Sequence, residues 1–456
     1  MDKRILCIAS GQAATRKKDS PVARKHLYLN YGLLSIASHL QGMGLQPYQV
    51  QGNFESPKHI FDSCRGMGLV NGNPMFISIP TFYALPWARE FVQIAREHNK
   101  EQKFVFGGRW VVGGRPDRLR SALGVHGVVV SGVGEALLFQ ICKDVFGIEG
   151  IRDAGYEWER SGLDYSLLHD REKFQPSIEI ARGCGMGCSF CQEKDEPLSQ
   201  LKPPVQLVRE VRSTLLRDGL RKMTPYLEAS MFIPNRKWVE GLRLEMDSVG
   251  CEFEWRTEAR VDSLKPDLLE GLYGCGMRVI DLGLESADHA QLLRMGKTSN
   301  PELYLKRASA LLNRAKECGI KVKVNVLLFA GESMDSIGRT TDWLDDHRDC
   351  ISGVSVGPVV CNGWPEDTSA YVRHLGSLGA TPSENQKVDG AIHMNLSPDI
   401  DYERSIEIAQ GISREFMSEE MLFFLKSFSY FPRDYEREQF VRDRGFSSMG
   451  SLGAGA

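Results

Sequence analysis

Two periods alternate along the chain. Over residues 1–146, short apolar runs predict strands at 4–9, 46–51, 75–79, 104–106 and 128–130. Between them, apolar positions spaced three and four apart predict helices at 32–42, 57–65, 86–97, 116–123 and 135–146. The stripe of the first helix is Leu33, Leu34, Ile36, Ala37 and Leu40. Five strands separated by helices predict an α/β domain, an open, doubly wound parallel sheet over 1–146. Residues 147–176 are polar and irregular, anchored by Tyr156, Trp158 and Tyr165, and read as a linker. The alternation then resumes. Strands are predicted at 178–181, 225–229, 252–257, 278–284, 321–329 and 354–360, with helices at 205–217, 236–247, 266–272, 303–318 and 334–346. Helix 303–318 buries Leu305, Ala308, Leu312 and Ala315 and stops at Gly319. Strand 321–329 sets Val322, Val324, Val326 and Leu328 opposite Lys323, Asn325 and Leu327. Six βα units predict a partial (β/α)6 barrel over 177–362, with its chemistry at the C-terminal strand ends. Residues 363–456 form a C-terminal helical extension, with a helix at 403–425 marked by Ile406, Ile408, Ile412, Phe416, Met421 and Leu422. Trp364, Tyr371, Phe423, Phe424, Phe428, Tyr430 and Phe431 either pack that helix on the barrel or wall a cavity. Residues 451–456 are a tail of small residues.

Composition narrows the class. A chain of 456 residues, 42% hydrophobic and 25% charged, can bury a large core and is not disordered throughout. Lys plus Arg number 56 against 59 Asp plus Glu, a net charge of -3, which argues against a nucleic-acid or anionic-membrane partner. No run approaches the ~18 apolar residues of a membrane span, and the opening segment is too briefly apolar for a signal peptide, so a soluble, cytoplasmic protein is expected. Eleven cysteines cannot all pair internally, and without an export signal they are expected as thiols or metal ligands. Cys7, Cys64, Cys142, Cys251, Cys275, Cys318, Cys350 and Cys361 are scattered; Cys361 is either a reactive thiol or an inert buried one. Cys184, Cys188 and Cys191 are not scattered.

These three stand in Arg182-Gly183-Cys184-Gly185-Met186-Gly187-Cys188-Ser189-Phe190-Cys191, directly after the first strand of the second module. Three thiolates on a glycine-rich loop can wrap a cube of iron and sulfide, leaving one iron open to an external ligand. A structural zinc site would need a fourth ligand from a distant cysteine, since none lies near. Other strand ends carry Glu228, Glu258 and Glu285, which either hold an ammonium or sugar hydroxyls, or cap helices and pair with loop cations. Arg260, Arg294 and Lys297 are read as solvated charge before anion contacts. In the first module, Ser78 and Thr81, Gly107 and Gly108, and Gly132, Gly134 and Glu135 follow the last three strands, where a ligand can approach the carboxyl edge. The same glycines also serve as plain turns.

The Cys-x3-Cys-x2-Cys spacing, with aromatic Phe190 before the third cysteine, resembles the signature of the radical S-adenosylmethionine (SAM) superfamily. The resemblance covers roughly 177–360 and implies a 4Fe–4S cluster on Cys184, Cys188 and Cys191, with SAM on the open iron. There an electron from the cluster cleaves SAM to a 5'-deoxyadenosyl radical. It further implies SAM contacts from Phe190, from Glu228 in Tyr226-Leu227-Glu228-Ala229-Ser230, from Glu258 in Trp255-Arg256-Thr257-Glu258-Ala259-Arg260, from Glu285 and Ser286, and from Gly331 and Glu332 near the adenine.

A doubly wound domain ahead of such a barrel is similar to the cobalamin-binding subgroup. Tyr31-Gly32-Leu33-Leu34, Phe106-Gly107-Gly108-Arg109, Ser131-Gly132-Val133-Gly134-Glu135 and Gly162-Leu163-Asp164-Tyr165 carry that resemblance. It implies cobalamin contacts from Ser78, Thr81, Gly107, Gly108, Gly132, Gly134 and Glu135. The Asp-x-His-x-x-Gly motif that supplies a lower cobalt ligand in many cobalamin proteins is absent; the loop at 11–29 carries Arg16, Lys17, Lys18, Arg24, Lys25 and His26 instead. A domain that binds nothing, or grips substrate, stays open, whereas a nicotinamide site lacks its Gly-x-Gly-x-x-Gly. The expected function is a cobalamin-dependent radical SAM methyltransferase acting on an unactivated carbon of a small molecule, supplied by an external one-electron reductant of flavodoxin or ferredoxin type. The alternatives are a radical SAM oxidoreductase, cyclase or rearrangement enzyme that transfers no methyl group, with or without bound cobalamin, and a non-catalytic iron–sulfur or zinc protein. No catalytic acid or base stands out.

Overall fold

In the computed structural model, residues 2–12, 21–113, 115–159, 161–214, 224–385 and 388–450 are described. Arg16, Lys17 and Lys18, the end of the helix predicted at 205–217 and the tail at 451–456 lie outside them. Two compact units form: residues 1–175 with 430–456, and residues 176–429.

In the first unit, β1 (Arg4–Ala9), β2 (Gln46–Gln51), β3 (Met75–Ser78), β4 (Phe104–Gly107) and β5 (Val128–Val129) pair in parallel in the order β2-β1-β3-β4-β5. The order reverses at β1, so the β1 and β3 carboxyl ends flank a topological switch point. Ile5 to Ala9 are all buried, as strands covered on both faces require. Helix Tyr31–Gly42 starts at Asn30, whose Oδ1 accepts the Leu33 N–H at 3.0 Å, and buries Leu33, Leu34, Ala37 and Leu40. The helix predicted at 135–146 is instead a 3-10 turn (Gly134–Leu137), a short α segment (Leu138–Gln140) and a π turn (Ile141–Val145). The stretch read as a linker packs within this unit. Tyr165 is fully buried, and Leu168 bridges Gln49 in parallel, covering the open edge of β2.

The C-terminal stretch, read as one extension, divides at residue 430. Beyond that point it belongs to the first unit: Leu27 N–H donates to the Tyr430 carbonyl at 2.8 Å, and the Phe431 ring lies 5.4 Å from His26.

In the second unit, β6 (Ser177–Ala181), β7 (Tyr226–Ala229), β8 (Trp255–Arg260), β9 (Met277–Glu285), β10 (Lys321–Leu328) and β11 (Gly353–Pro358) pair in chain order, every pair parallel. Helices connect them, giving a partial barrel. Val322, Val324, Val326 and Leu328 face the helices, while Lys323, Asn325 and Leu327 are half-buried on the inner face. That inner face is polar, and it explains a displaced strand: β8 runs to Arg260, where the charged Glu258 and Arg260 had predicted a loop. The strand predicted at 354–360 breaks at Val359, and β12 (Val360–Asn362) joins a small antiparallel sheet with β13 (Thr381–Pro382) and β14 (Ala391–Asn395) in the order β12-β14-β13. The helix predicted at 403–425 is two helices, Tyr402–Glu415 and Glu419–Ser427. Ser418 restarts it, its Oγ accepting the Met421 N–H at 3.1 Å. Leu425 and Phe428 pack on Val279 with Met417 and Met421, so these side chains pack the start of β9 and do not wall a cavity there. Among the described residues no helix is long and apolar enough to cross a membrane.

Candidate metal centre and strand-end site

The cysteine loop leaves β6 at its carboxyl end. Gly183, Gly185 and Gly187 adopt φ values of +72°, +66° and +72°, which lets ten residues fold back on themselves. Gly183 is the tightest: a Cβ there would lie 2.1 Å from the Pro197 carbonyl oxygen. Gly183→Ala combines that clash with a left-handed backbone cost of about 1–2 kcal/mol. It is expected to lower both the melting temperature and the iron retained after desalting; an alanine variant with wild-type iron content would contradict this. The loop is pinned by Cys184 N–H to the Glu196 carbonyl (3.0 Å) and Ser189 N–H to the Met295 carbonyl (2.9 Å). Glu193 N–H donates to Cys191 Sγ at 3.3 Å. Cys188 is buried and Cys184 and Cys191 half-buried; burial raises the pKa of the latter two thiols. Three soft donors on one glycine-rich loop suit an iron–sulfur cube.

Side chains at three strand ends meet this loop. Phe190 packs edge-on against Phe329, just past β10, with ring centroids 6.4 Å apart. Lys297 Nζ stands 6.0 Å from the Phe190 ring centroid and 2.9 Å from Glu285 Oε1 at the end of β9. Glu285 itself has φ +68°, a strained value for a residue with a side chain. A Cβ on Gly283 would come within 2.9 Å of Glu285 Oε1 and 3.2 Å of Lys297 Nζ, so the glycine makes room for that ion pair. Arg260, at the end of β8, is 7% exposed and Lys297 4%, which corrects their reading as solvated charge. Both missed their assignment because an isolated Arg or Lys in sequence gives no sign of its partner. Arg294 does sit at the surface, donating to the Gly331 carbonyl at 2.9 Å.

Below this layer the inner face carries an acidic row. Glu179 and Glu228 are register partners across β6 and β7, and Glu258 and Asp281 across β8 and β9. Burial pushes Glu228 up to about 8 and Glu258 to about 7, with neighbouring carboxylates adding to the shift. Glu258 nonetheless keeps solvent contact, as a carboxyl ringed by protein in a wet concavity would. A carboxyl whose folded pKa is raised from 4.5 to about 8 contributes stability that is complete below pH 4.5 and lost as pH rises through 8. Glu228→Gln, which mimics the protonated acid, is therefore expected to raise the melting temperature at pH 9 by about 3 °C, roughly 1 kcal/mol. No gain is expected at pH 4.5, and equal melting curves at both pH values would count against the shift.

Other expected contacts are spent inside the protein. Ser286 Oγ pairs with Thr340 Oγ1 (3.1 Å) and accepts the Asp288 N–H (3.0 Å). Gly331 gives its N–H to the Leu396 carbonyl (2.7 Å), so that donor is not left for an adenine edge, and its carbonyl accepts from Arg294. Glu332 is buried, accepts the Phe329 N–H and bonds the Ser336 hydroxyl, and burial raises it to about 7. These three support helix starts and turns.

At the carboxyl edge of the first unit, Gly108 has φ +128°, and a Cβ there would strike the Ile79 carbonyl at 2.1 Å. Ser78 Oγ accepts from Asn30 Nδ2 at 2.9 Å, and Glu135 Oε1 accepts the Ser35 hydroxyl at 2.5 Å. Gly134 packs against Ile36, while Gly132 (φ +81°) is exposed with open space around it. Ser10 Oγ and Thr81 Oγ1 are buried there without a hydrogen-bond partner. Ser10, next to the β1 end, was not foreseen; only its orphaned hydroxyl marks it.

Residues 178–344 match the family model described as the radical SAM superfamily. No curated protein matches the chain. Among solved structures, the fold is similar to the radical SAM methyltransferase TsrM from Kitasatospora setae with tryptophan substrate and the SAM analog aza-SAM bound, at TM-score 0.58 and 15% identity, covering 78% of this chain and 73% of that one. A TsrM structure with cobalamin and a 4Fe–4S cluster gives 0.57, 15%, 78% and 75%. The cobalamin-dependent SAM radical enzyme OxsB with aqua-cobalamin bound gives 0.56 and 15%, over 75% of this chain but 52% of that one. At these identities the likeness is one of fold.

Proposed function

From a chain that carries a radical SAM domain over residues 178–344, we infer a cobalamin-dependent radical SAM enzyme, a methyltransferase acting on an unactivated carbon of a small molecule. The observation that carries this reading is the three-thiol loop at the β6 carboxyl end, met by side chains from the ends of β8, β9 and β10. Cys184, Cys188 and Cys191 would hold the 4Fe–4S cluster, which supplies an open iron for SAM and the electron that cleaves it to a 5'-deoxyadenosyl radical. Phe190 and the Glu285–Lys297 pair border that position: Lys297 offers a cation to the SAM carboxylate, and Glu285 an acceptor to its ammonium or ribose. Glu228 and Glu258 line the inner face beyond. Cobalamin fits the first unit through the switch point between β1 and β3, the Gly108 backbone lying against Ile79, and the orphaned Ser10 and Thr81 hydroxyls. The same fold in TsrM and OxsB supports this.

The test is anaerobic reconstitution with iron, sulfide and hydroxocobalamin, followed by metal analysis and a SAM assay with dithionite. About four irons and about one cobalt per chain are expected, with 5'-deoxyadenosine formed and S-adenosylhomocysteine once a substrate is present. Iron and cleavage without cobalt would remove cobalamin and methyl transfer from the reading. Absence of both iron and cleavage would overturn it.

A further inference from the structure

Arg260 does more than brace the site. Its backbone N–H donates to Ser263 Oγ at 3.1 Å, which fixes the turn after β8. One edge of its guanidinium is held by Asp262, Nε to Oδ1 at 2.8 Å and Nη2 to Oδ2 at 3.0 Å, and Nη2 also donates to the Lys297 carbonyl at 2.7 Å. The planar fork is thereby fixed, and its free edge turns toward the cysteine loop: Nη1 donates to Cys188 Sγ at 2.8 Å. Cys188 is the most enclosed of the three loop thiols, at 4% exposure. Lys297, on the same side, is engaged by Glu285. Arg260 is thus the cation whose N–H is directed at a cluster-forming sulfur from a water-poor side.

We propose that Arg260 is a tuning residue, raising the reduction potential of a cluster held by Cys184, Cys188 and Cys191 through its charge-assisted hydrogen bond to Cys188. The inference rests on the radical SAM reading given above. In the step concerned, one electron passes from an external one-electron donor to the cluster. No bond breaks and no proton moves, so the cluster and its thiolates gain one negative charge. A fixed N–H donor and positive charge at the sulfur stabilise that added charge, and hydrogen bonds to the ligand sulfurs are a general lever on such potentials. Removing Arg260 therefore makes the cluster harder to reduce.

The experiment is a redox titration of the reconstituted protein followed by electron paramagnetic resonance, on wild type, Arg260→Gln and Arg260→Lys, each with its iron content measured. At the wild-type midpoint, Arg260→Gln is expected to lower the ratio of reduced to oxidised cluster about tenfold, equivalent to about 59 mV for a one-electron couple. Arg260→Lys keeps the charge but loses the fork and is expected to fall between the two. A merely structural role would reduce iron content but leave unchanged the potential of whatever cluster forms. An unmoved midpoint in iron-loaded Arg260→Gln overturns the proposal. If Arg260→Gln holds no iron, the lysine variant decides, and an unmoved midpoint there, or failure of both variants to hold iron, also overturns it. A wild-type protein that binds no iron fails at the earlier reading, which separates the two failures.

Discussion

Alanine at any one of Cys184, Cys188 or Cys191 is expected to strip the reconstituted protein of its iron and reduce 5'-deoxyadenosine formation to background. The loop offers three thiolates, and a cluster of about four irons held by two of them has lost a third of its protein anchorage. The three variants should not be equivalent in stability. Cys184 and Cys191 are half-buried, whereas Cys188 is enclosed and accepts the Arg260 N–H. Cys188→Ala therefore leaves a buried charged donor unpaired, at a cost of about 1–3 kcal/mol, visible as a lower melting temperature of the iron-free protein. Cys64→Ala is the matched control. That thiol is buried, pushed up to about 12 by burial, and belongs to the helix Pro57–Gly66 of the first unit, so the iron content should be unchanged. Full iron in any loop variant would remove that cysteine from the ligand set.

The largest stability effect is expected at Asp281. Arg256 and Asp281 are 1% and 2% exposed and form a bidentate pair through the Nε/Nη2 edge of the guanidinium, with Nη2 to Oδ1 at 2.6 Å. Lys323 Nζ adds a contact at 2.9 Å and the Tyr226 hydroxyl another at 3.2 Å, while Arg256 Nη1 donates to the Leu425 carbonyl at 2.7 Å. Asp281→Ala leaves two cations facing each other without their acid, which costs about 3–5 kcal/mol. At about 2–4 °C per kcal/mol for a unit of this size, the melting temperature should fall by about 10 °C. Burial alone would raise the Asp281 pKa, but the Arg256 and Lys323 charges outweigh it and hold the carboxyl well below the ordinary range. Its folded pKa is thus depressed, so its contribution is present above the unfolded value of about 3.9 and lost as pH falls beneath that. Wild type should lose stability on acidification over that window, and Asp281→Ala should lose less. A melting temperature within 2 °C of wild type at pH 7 would mean that the pair merely breaks even.

The parallel sheet of the first unit is legible in sequence because its strands are buried on both faces and read as unbroken apolar runs, as in Arg4–Ala9. The polar inner face of the second sheet hides only where a strand ends. Arg256, Glu258 and Arg260 alternate along β8, so the predicted strand at 252–257 stops short of the charged Glu258 and Arg260 that the curled sheet carries inward. The short antiparallel sheet of β12, β13 and β14 offers two- to five-residue strands with no clear period. At the site, the cysteine spacing carries its own chemistry and Glu285 stands at an apolar strand's end. Ser286, Gly331 and Glu332 share that address, yet their hydrogen bonds go to turns and helix starts. Only three-dimensional partners separate Glu285 from them, and only the same partners reveal Arg260.

The first unit is discontinuous. Tyr430, Phe431, Tyr435 and Phe440 pack with His26, Tyr28 and Lys25, contributions from opposite ends of the chain. During vectorial synthesis the barrel segment, 176–429, is contiguous and has all its residues before the last stretch is made. The first unit has to wait, with its Lys25–Tyr28 segment uncovered, until residues 430–440 leave the ribosome. Order of synthesis and order of completion are thereby reversed: the half made first is the last to close.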